Sequence, residues 1–99
     1  MALKIYWSPE AKEQLDSVLE YLLNNWDEKV IRQFSSLLEE SLSVISNFPD
    51  AFPLTNKRKQ LRKCVISKHH SLFYHHIKNS IEISSLFDNR QSPLKLNLL

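Results

Sequence analysis

Leu3-Lys4-Ile5-Tyr6-Trp7-Ser8-Pro9-Glu10-Ala11 holds the change of period that decides how this chain folds. Leu3, Ile5 and Trp7 alternate with Lys4 and Tyr6, the pattern of a strand with one face buried. Ser8 and Pro9 end that pattern. Serine is a strong N-cap, proline fits the first helical position, and Glu10 meets the positive end of the helix dipole. Ala11, Leu15, Val18, Leu19 and Leu22 then recur at helical spacing, which takes a first helix to about Asn24. Asp27 can cap a second helix with the stripe Val30, Phe34, Leu37, Leu38, Ser41 and Ile45, and Phe48-Pro49 stops it. Only two or three residues around Trp26 part the helices, so an antiparallel hairpin is expected, with Trp7 and Trp26 packed at its base.

Working outward, residues 49–60 read as a loop in which Pro49 and Pro53 bracket Phe52 ahead of a Lys/Arg-rich end. From Leu61 the period turns strand-like, predicting strands over 61–66, 69–77 and 81–87, with a tight turn at Asn79-Ser80. On the last strand, straight alternation puts Ile81, Ile83 and Phe87 on one face and Glu82, Ser84 and Leu86 on the other. The order β-α-α-β-β-β gives an α+β fold: a mainly antiparallel four-stranded sheet with the helical hairpin on one face. One domain over 1–99 is expected, with the hairpin at about 9–47, the basic loop at 49–60, the strands at 61–88 and a tail at 89–99. That tail, with Leu94, Leu96, Leu98 and Leu99, is apolar enough to pack on the domain or on a partner.

Charge divides the chain more sharply than its net +2 implies. Residues 1–50 carry four Lys/Arg against nine Asp/Glu, a formal −5, and residues 51–99 carry nine against two, a formal +7. Six of the cations are Lys57, Arg58, Lys59, Arg62, Lys63 and Lys68. Such asymmetry points to a polyanion or an acidic protein segment as ligand of the C-terminal half, against the commoner case of a solvated basic loop. Lys57 to Lys63 and Arg90 are expected to converge on one face. The chain has no glycine, which argues against a Gly-rich phosphate loop, so any phosphate must be held mainly by Lys and Arg side chains. Cys64 is the only cysteine, which excludes an intrachain disulfide and fits a reducing compartment. No apolar run is long enough for a membrane span and no export signal is visible, so a cytoplasmic protein is expected.

His69, His70, His75 and His76 invite a metal reading, but strand geometry opposes it. Neighbours on a strand face opposite ways, which pairs His70 with His76 and His69 with His75, each pair about 20 Å apart. Without a Cys/His cluster of ligand spacing elsewhere, no metal and no cofactor are expected.

Several segments in order resemble the RelE/ParE superfamily of toxins from bacterial type II toxin–antitoxin systems. They are Ile5-Tyr6-Trp7-Ser8-Pro9-Glu10-Ala11, Tyr21-Leu22, Phe48-Pro49, Leu61-Arg62-Lys63, Leu72-Phe73-Tyr74, Ile81-Glu82-Ile83 and Leu86-Phe87-Asp88-Asn89-Arg90-Gln91-Ser92-Pro93. The resemblance implies a growth-arresting toxin neutralised by a cognate antitoxin. RelE-type members cleave mRNA on the ribosome, whereas ParE-type members inhibit DNA gyrase without being nucleases; an inactive antitoxin-binding relic is a third possibility. The long hairpin and the Arg-Gln-x-Pro ending look more like ParE or plasmid stabilisation proteins.

By motif position, the resemblance makes Arg62 and Arg90 phosphate clamps of a metal-independent endoribonuclease, with Lys57 and Lys59 as the loop lysines and Asp88 as an orienting or pairing acid. Arg58, Lys63, Lys68, His70 and Tyr74 are further candidates for contacting RNA or the antitoxin, although a strand tyrosine is more often a core aromatic with a satisfied hydroxyl. Asp88 stands where such nucleases often carry His, and residues 91–99 hold neither His nor Tyr, which weakens the nuclease reading.

Overall fold

The computed structural model describes residues 2–55 and 60–89. Lys57, Arg58, Lys59, Arg90 and the leucine-rich tail therefore lie outside the described residues. The element order is β1 (Lys4–Trp7), α1 (Pro9–Asn25), α2 (Glu28–Asn47), β2 (Leu61–Val65), β3 (His70–Ile77) and β4 (Ser80–Asp88), the expected β-α-α-β-β-β order. The strands form one sheet in the order β1-β4-β3-β2. Pairing is antiparallel except between β1 and β4, which run parallel because the whole hairpin and two further strands intervene between them.

The junction read from the sequence forms as its residues dictate. Ser8 is extended at the N-cap of α1, and its Oγ accepts from the Ala11 amide at 3.0 Å. The same hydroxyl donates to the Ser84 carbonyl at 3.0 Å, while the Ser8 amide donates to the Ile83 carbonyl. One small side chain thus starts the helix and fastens it to the middle of β4. Farther along α1, Gln14 Oε1 accepts from the Leu86 amide at 2.7 Å, serving a β4 edge group beyond the end of β1. Asp27 caps α2 through the Val30 amide.

The main core lies between hairpin and sheet. Ala11 and Leu22 of α1 and Phe34, Leu38 and Ile45 of α2 pack with Cys64, Leu72, Tyr74, Ile81, Ile83 and Leu86. Each large side chain in this layer contributes on the order of 1.5–3 kcal/mol by leaving water. Trp7 packs against this core, but Trp26 does not follow the expectation. It is 55% exposed at the hairpin tip, because its backbone is the extended C-cap of α1 rather than a helical position on the buried stripe. Leu37 likewise opens to solvent at the edge of the α2 stripe.

A second correction concerns β4. Phe73 pairs with Ser85 and Tyr74 with Ile83, so Ser84 is an extra residue without a direct partner. This β-bulge reverses the alternation beyond it. Ile81, Ile83 and Leu86 face the helices, whereas Phe87 joins Leu61 and Phe73 in a separate cluster on the other face. The β3–β4 turn falls at Lys78-Asn79, one residue earlier than expected, with Lys78 at φ 51 in the left-handed region that the chain, lacking glycine, assigns to lysine.

Because Ser8 holds two partners, Ser8→Ala is expected to cost about 1–2 kcal/mol, at or above the usual loss of one cap. Chemical denaturation of the variant checks this. Ser8→Asp, which keeps the cap acceptor but cannot donate to Ser84, is expected to recover only part of the loss.

Candidate functional site

The candidate cations of β2 do not share a surface. Arg62 pairs in register with Tyr74 and lies on the helix side, whereas Lys63 pairs with Phe73 and lies on the open side. Adjacent strand residues must diverge in this way, so the expected convergence of Lys57 to Lys63 fails at its described members. Lys68 is exposed in the β2–β3 loop, beyond the far end of both strands.

Arg62 is held by the segment leaving α2. Its Nη1 donates to the Phe52 carbonyl at 2.6 Å and to the Asp50 carbonyl at 3.3 Å, and its Nη2 lies 3.6 Å from Asp50 Oδ1. The planar guanidinium is suited to several fixed acceptors at once. Backbone contacts reinforce the same attachment: the Lys63 amide donates to Pro53, the Thr55 amide donates to Leu61, and Leu54 forms a bridge with Arg62. Residues 53–55 thereby cover the outer edge of β2.

Tyr74, opposite Arg62, is fully buried and donates its hydroxyl to the Pro49 carbonyl at 2.6 Å. The Phe52 ring meets it edge-on at 6.3 Å. Burial pushes the phenol up to about 12, only partly offset by the Arg62 charge. A phenol held neutral and already donating to a carbonyl is a structural tie, and its expected place on a binding surface gives way to the core. His76 completes the cluster, with Nδ1 3.1 Å from Asp50 Oδ1 and Nε2 2.9 Å from the Lys78 carbonyl. Both partners can only accept, so the ring makes both bonds only when doubly protonated.

His70 is also buried, not on a binding rim. Its ring packs edge-on to Phe34 at 5.0 Å and contacts Ser67 Oγ at 3.3 Å. Its register partner Asp88 lies at the end of β4 beside a cleft of about 670 Å³ that Glu10 and Glu13 of α1 also line. Acids grouped in this way disfavour a phosphate there. His75, paired with Leu61, lies on the open face, and His69 precedes β3. Among the described residues no three His, Cys, Asp or Glu side chains gather to hold a metal ion. Burial pushes the Cys64 thiol up, with a Ser41 hydrogen bond opposing, which disfavours a thiolate nucleophile.

A surface that the residue patterns did not reveal lies at the hairpin tip. Tyr21, Trp26 and Leu37, all substantially exposed, line a groove of about 310 Å³ floored by Leu22 and Phe34 and bordered by His69. The sequence signal was available in Trp26, an aromatic in a cap position where neither helix stripe can bury it.

This two-layer arrangement, a β-α-α-β-β-β chain with one parallel edge pair, is the architecture of type II toxin–antitoxin toxins. Solved structures show the likeness. A chain of the chromosomal ParDE TA system from P. aeruginosa matches with a TM-score of 0.73 at 10% identity, covering 88% of this chain and 96% of that one. The YoeB dimer from Staphylococcus aureus matches at 0.62 and 22% identity, covering 88% and 97%. The E. coli DinJ-YafQ toxin-antitoxin complex matches at 0.62 and 12% identity, covering 89% and 93%. No curated protein matches by sequence. The family described as the ParE toxin of the type II toxin-antitoxin system, parDE, matches residues 5–93, and the chain belongs to that family. It is thus a toxin of a type II toxin–antitoxin module. Among the described residues, no helix is long and apolar enough to cross a membrane.

Tyr74→Phe removes a buried hydroxyl and leaves the Pro49 carbonyl without its donor, with an expected loss of about 1–2 kcal/mol near neutral pH. The phenol is raised in the fold, so the unfolded chain ionises first. Its contribution is complete below about pH 10 and disappears as pH rises toward about 12. Unfolding measured between pH 9 and 12 should therefore fall more steeply for the native chain than for Tyr74→Phe.

Proposed function

We infer that this toxin acts as a ParE-type, non-enzymatic inhibitor of DNA gyrase rather than as an mRNA endonuclease. The observation that carries this reading is the engagement of Arg62. The guanidinium that motif position nominates as a phosphate clamp is held by the Phe52 and Asp50 carbonyls and the Asp50 carboxylate on the helix side of the sheet. Tyr74, the described phenol nearest to it in register, is committed to Pro49. Rapid RNA cleavage needs groups free to move a proton and to stabilise developing charge, and these two serve the fold instead. Membership of the ParE family supports the same reading.

The described cations left for a target lie in the C-terminal half: Lys63 on the open face and Lys68 in the β2–β3 loop. The groove at Tyr21, Trp26 and Leu37 suits a different partner. An amphipathic antitoxin segment would bury its apolar face there, in the manner of a helix or strand laid into a groove.

Purified toxin in parallel supercoiling and translating-extract assays tests the reading. Loss of supercoiling with intact mRNA is expected. Ribosome-dependent transcript cleavage with unaffected supercoiling would replace gyrase with mRNA as the target, and failure in both would point to a relic that only binds antitoxin. Trp26→Ser is expected to weaken antitoxin binding by about tenfold or more while leaving supercoiling inhibition intact.

A further inference from the structure

Charge changes sign along the surface of the helical hairpin, and the elements that border the surface explain why. β1 is four residues long, so β4 runs on past their last pair, Trp7 with Ile83. The cleft of about 670 Å³ lies between that uncovered stretch of β4 and α1. Its α1 side is the stripe Glu10, Glu13, Ser17 and Tyr21, about 16 Å of helix at the usual rise. Asp88 borders the strand side, and no Lys or Arg lines the cleft. Among the described residues no cation lies within ion-pair reach of Glu10 or Glu13. Tyr21 and His70 also line the apolar groove at the hairpin tip, so cleft and groove adjoin. Across the groove, Gln33 and Leu37 are shared with a shallow hollow on α2 that carries Lys29 and Arg32. Arg32 pairs with Glu28 at 3.2 Å, whereas Lys29 has no ion pair among the described residues.

We propose that this surface orders the antitoxin segment it receives by charge. A Lys or Arg side chain of the segment enters the cleft at Glu10 and Glu13. Apolar side chains fill the groove at Tyr21, Trp26 and Leu37, and an acidic side chain meets Lys29. This rests on the reading of the groove as the antitoxin's site, and it does not depend on gyrase being the target. Apolar burial supplies attraction without direction, so an apolar stripe alone fits the groove either way round. Oppositely charged ends fit only one way. A segment laid in reverse would set acid against Glu10 and Glu13 and a cation against Lys29, and such like-charge contacts are costly. The negative cleft also disfavours nucleic acid as the occupant. An acidic stretch of the same partner belongs instead beside Lys63 and Lys68, on other surfaces of the toxin.

The test uses the full-length toxin, with the small protein encoded next to it as the antitoxin probe. Dissociation constants are measured at about 0.1 M and about 1 M salt, between which the screening length falls from about 10 Å to about 3 Å. Glu10→Gln with Glu13→Gln is expected to weaken binding about fivefold at the lower salt, and Lys29→Glu by a similar factor. Both losses are expected to fade at the higher salt. Asp16→Asn with Glu39→Gln, exposed acids that line neither cleft nor groove, is expected to change binding by less than about twofold. Charge variants that behave as this control, or losses that persist undiminished at the higher salt, would overturn the proposal. If Trp26→Ser weakens binding while the charge variants do not, only the charge order fails. If the probe does not bind the unaltered toxin, or binds Trp26→Ser normally, the groove reading fails and the proposal with it. Carbodiimide labelling of carboxylates in the unaltered complex gives a readout that needs no variant to fold. Glu10 and Glu13 are expected to be protected by the probe, with Asp16 and Glu39 unchanged. Labelling of Glu10 and Glu13 that the probe leaves unaltered, or that falls with toxin concentration alone as a second copy would cause, would sink it.

Discussion

One extra residue in β4 governs how this small sheet is used. Ser84 interrupts the ladder with β3, and the strand changes which side it presents halfway along its length. Before the bulge Ile81 and Ile83 face the helices; after it Leu86 does so, and Phe87 turns away. Without the extra residue, Leu86 would leave the main core and Phe87 would enter it, since a one-residue slip moves every later side chain to the other face. The bulge is held where it is by α1, because Ser8 Oγ donates to the Ser84 carbonyl and Gln14 accepts from the Leu86 amide. Helix position and strand register therefore fix each other, and the second apolar cluster exists only because they do.

The charge split acquires a structural meaning within this frame. Acids are spread over the exposed sides of the hairpin, where Glu10 and Glu28 also suit the N-terminal turns. The C-terminal cations divide in use. Arg62 is drawn into the fold, anchoring the segment after α2 beside Tyr74 and His76. Lys63 and Lys68 stay available for a partner on other surfaces. A count of basic residues treats these as equivalent, although register alone separates them.

The sequence made the element order, the caps and the hairpin legible because local chemistry determines them. Ser8 and Asp27 cap for reasons that need no tertiary knowledge, and both helix stripes announce their period. The faces of β4 were not legible through straight alternation. Ile83 and Leu86 are three apart rather than two, and that spacing across Ser84-Ser85 was the available sign of a bulge. The family resemblance also came from the residues, since its motifs coincide with positions the fold constrains. The candidate site was harder to read for that very reason. Tyr74 and Arg62 stand at motif positions and His70 among the strand histidines, but partners distant in sequence, Phe34, Pro49, Asp50 and Phe52, draw them into structural contacts. Sequence spacing contains no information about such partners.

This distinction bears on how a shared toxin fold can serve unlike targets. An arginine at the second strand is valuable to the fold wherever the chain leaving α2 must be tied back over the sheet edge, because one guanidinium satisfies two carbonyls and a carboxylate together. Its presence in the motif is therefore compatible with a nuclease and with a pure binding protein alike. In this chain Asp50 is placed one turn past α2 and also engages His76, so the arginine, the histidine and the loop form one polar cluster.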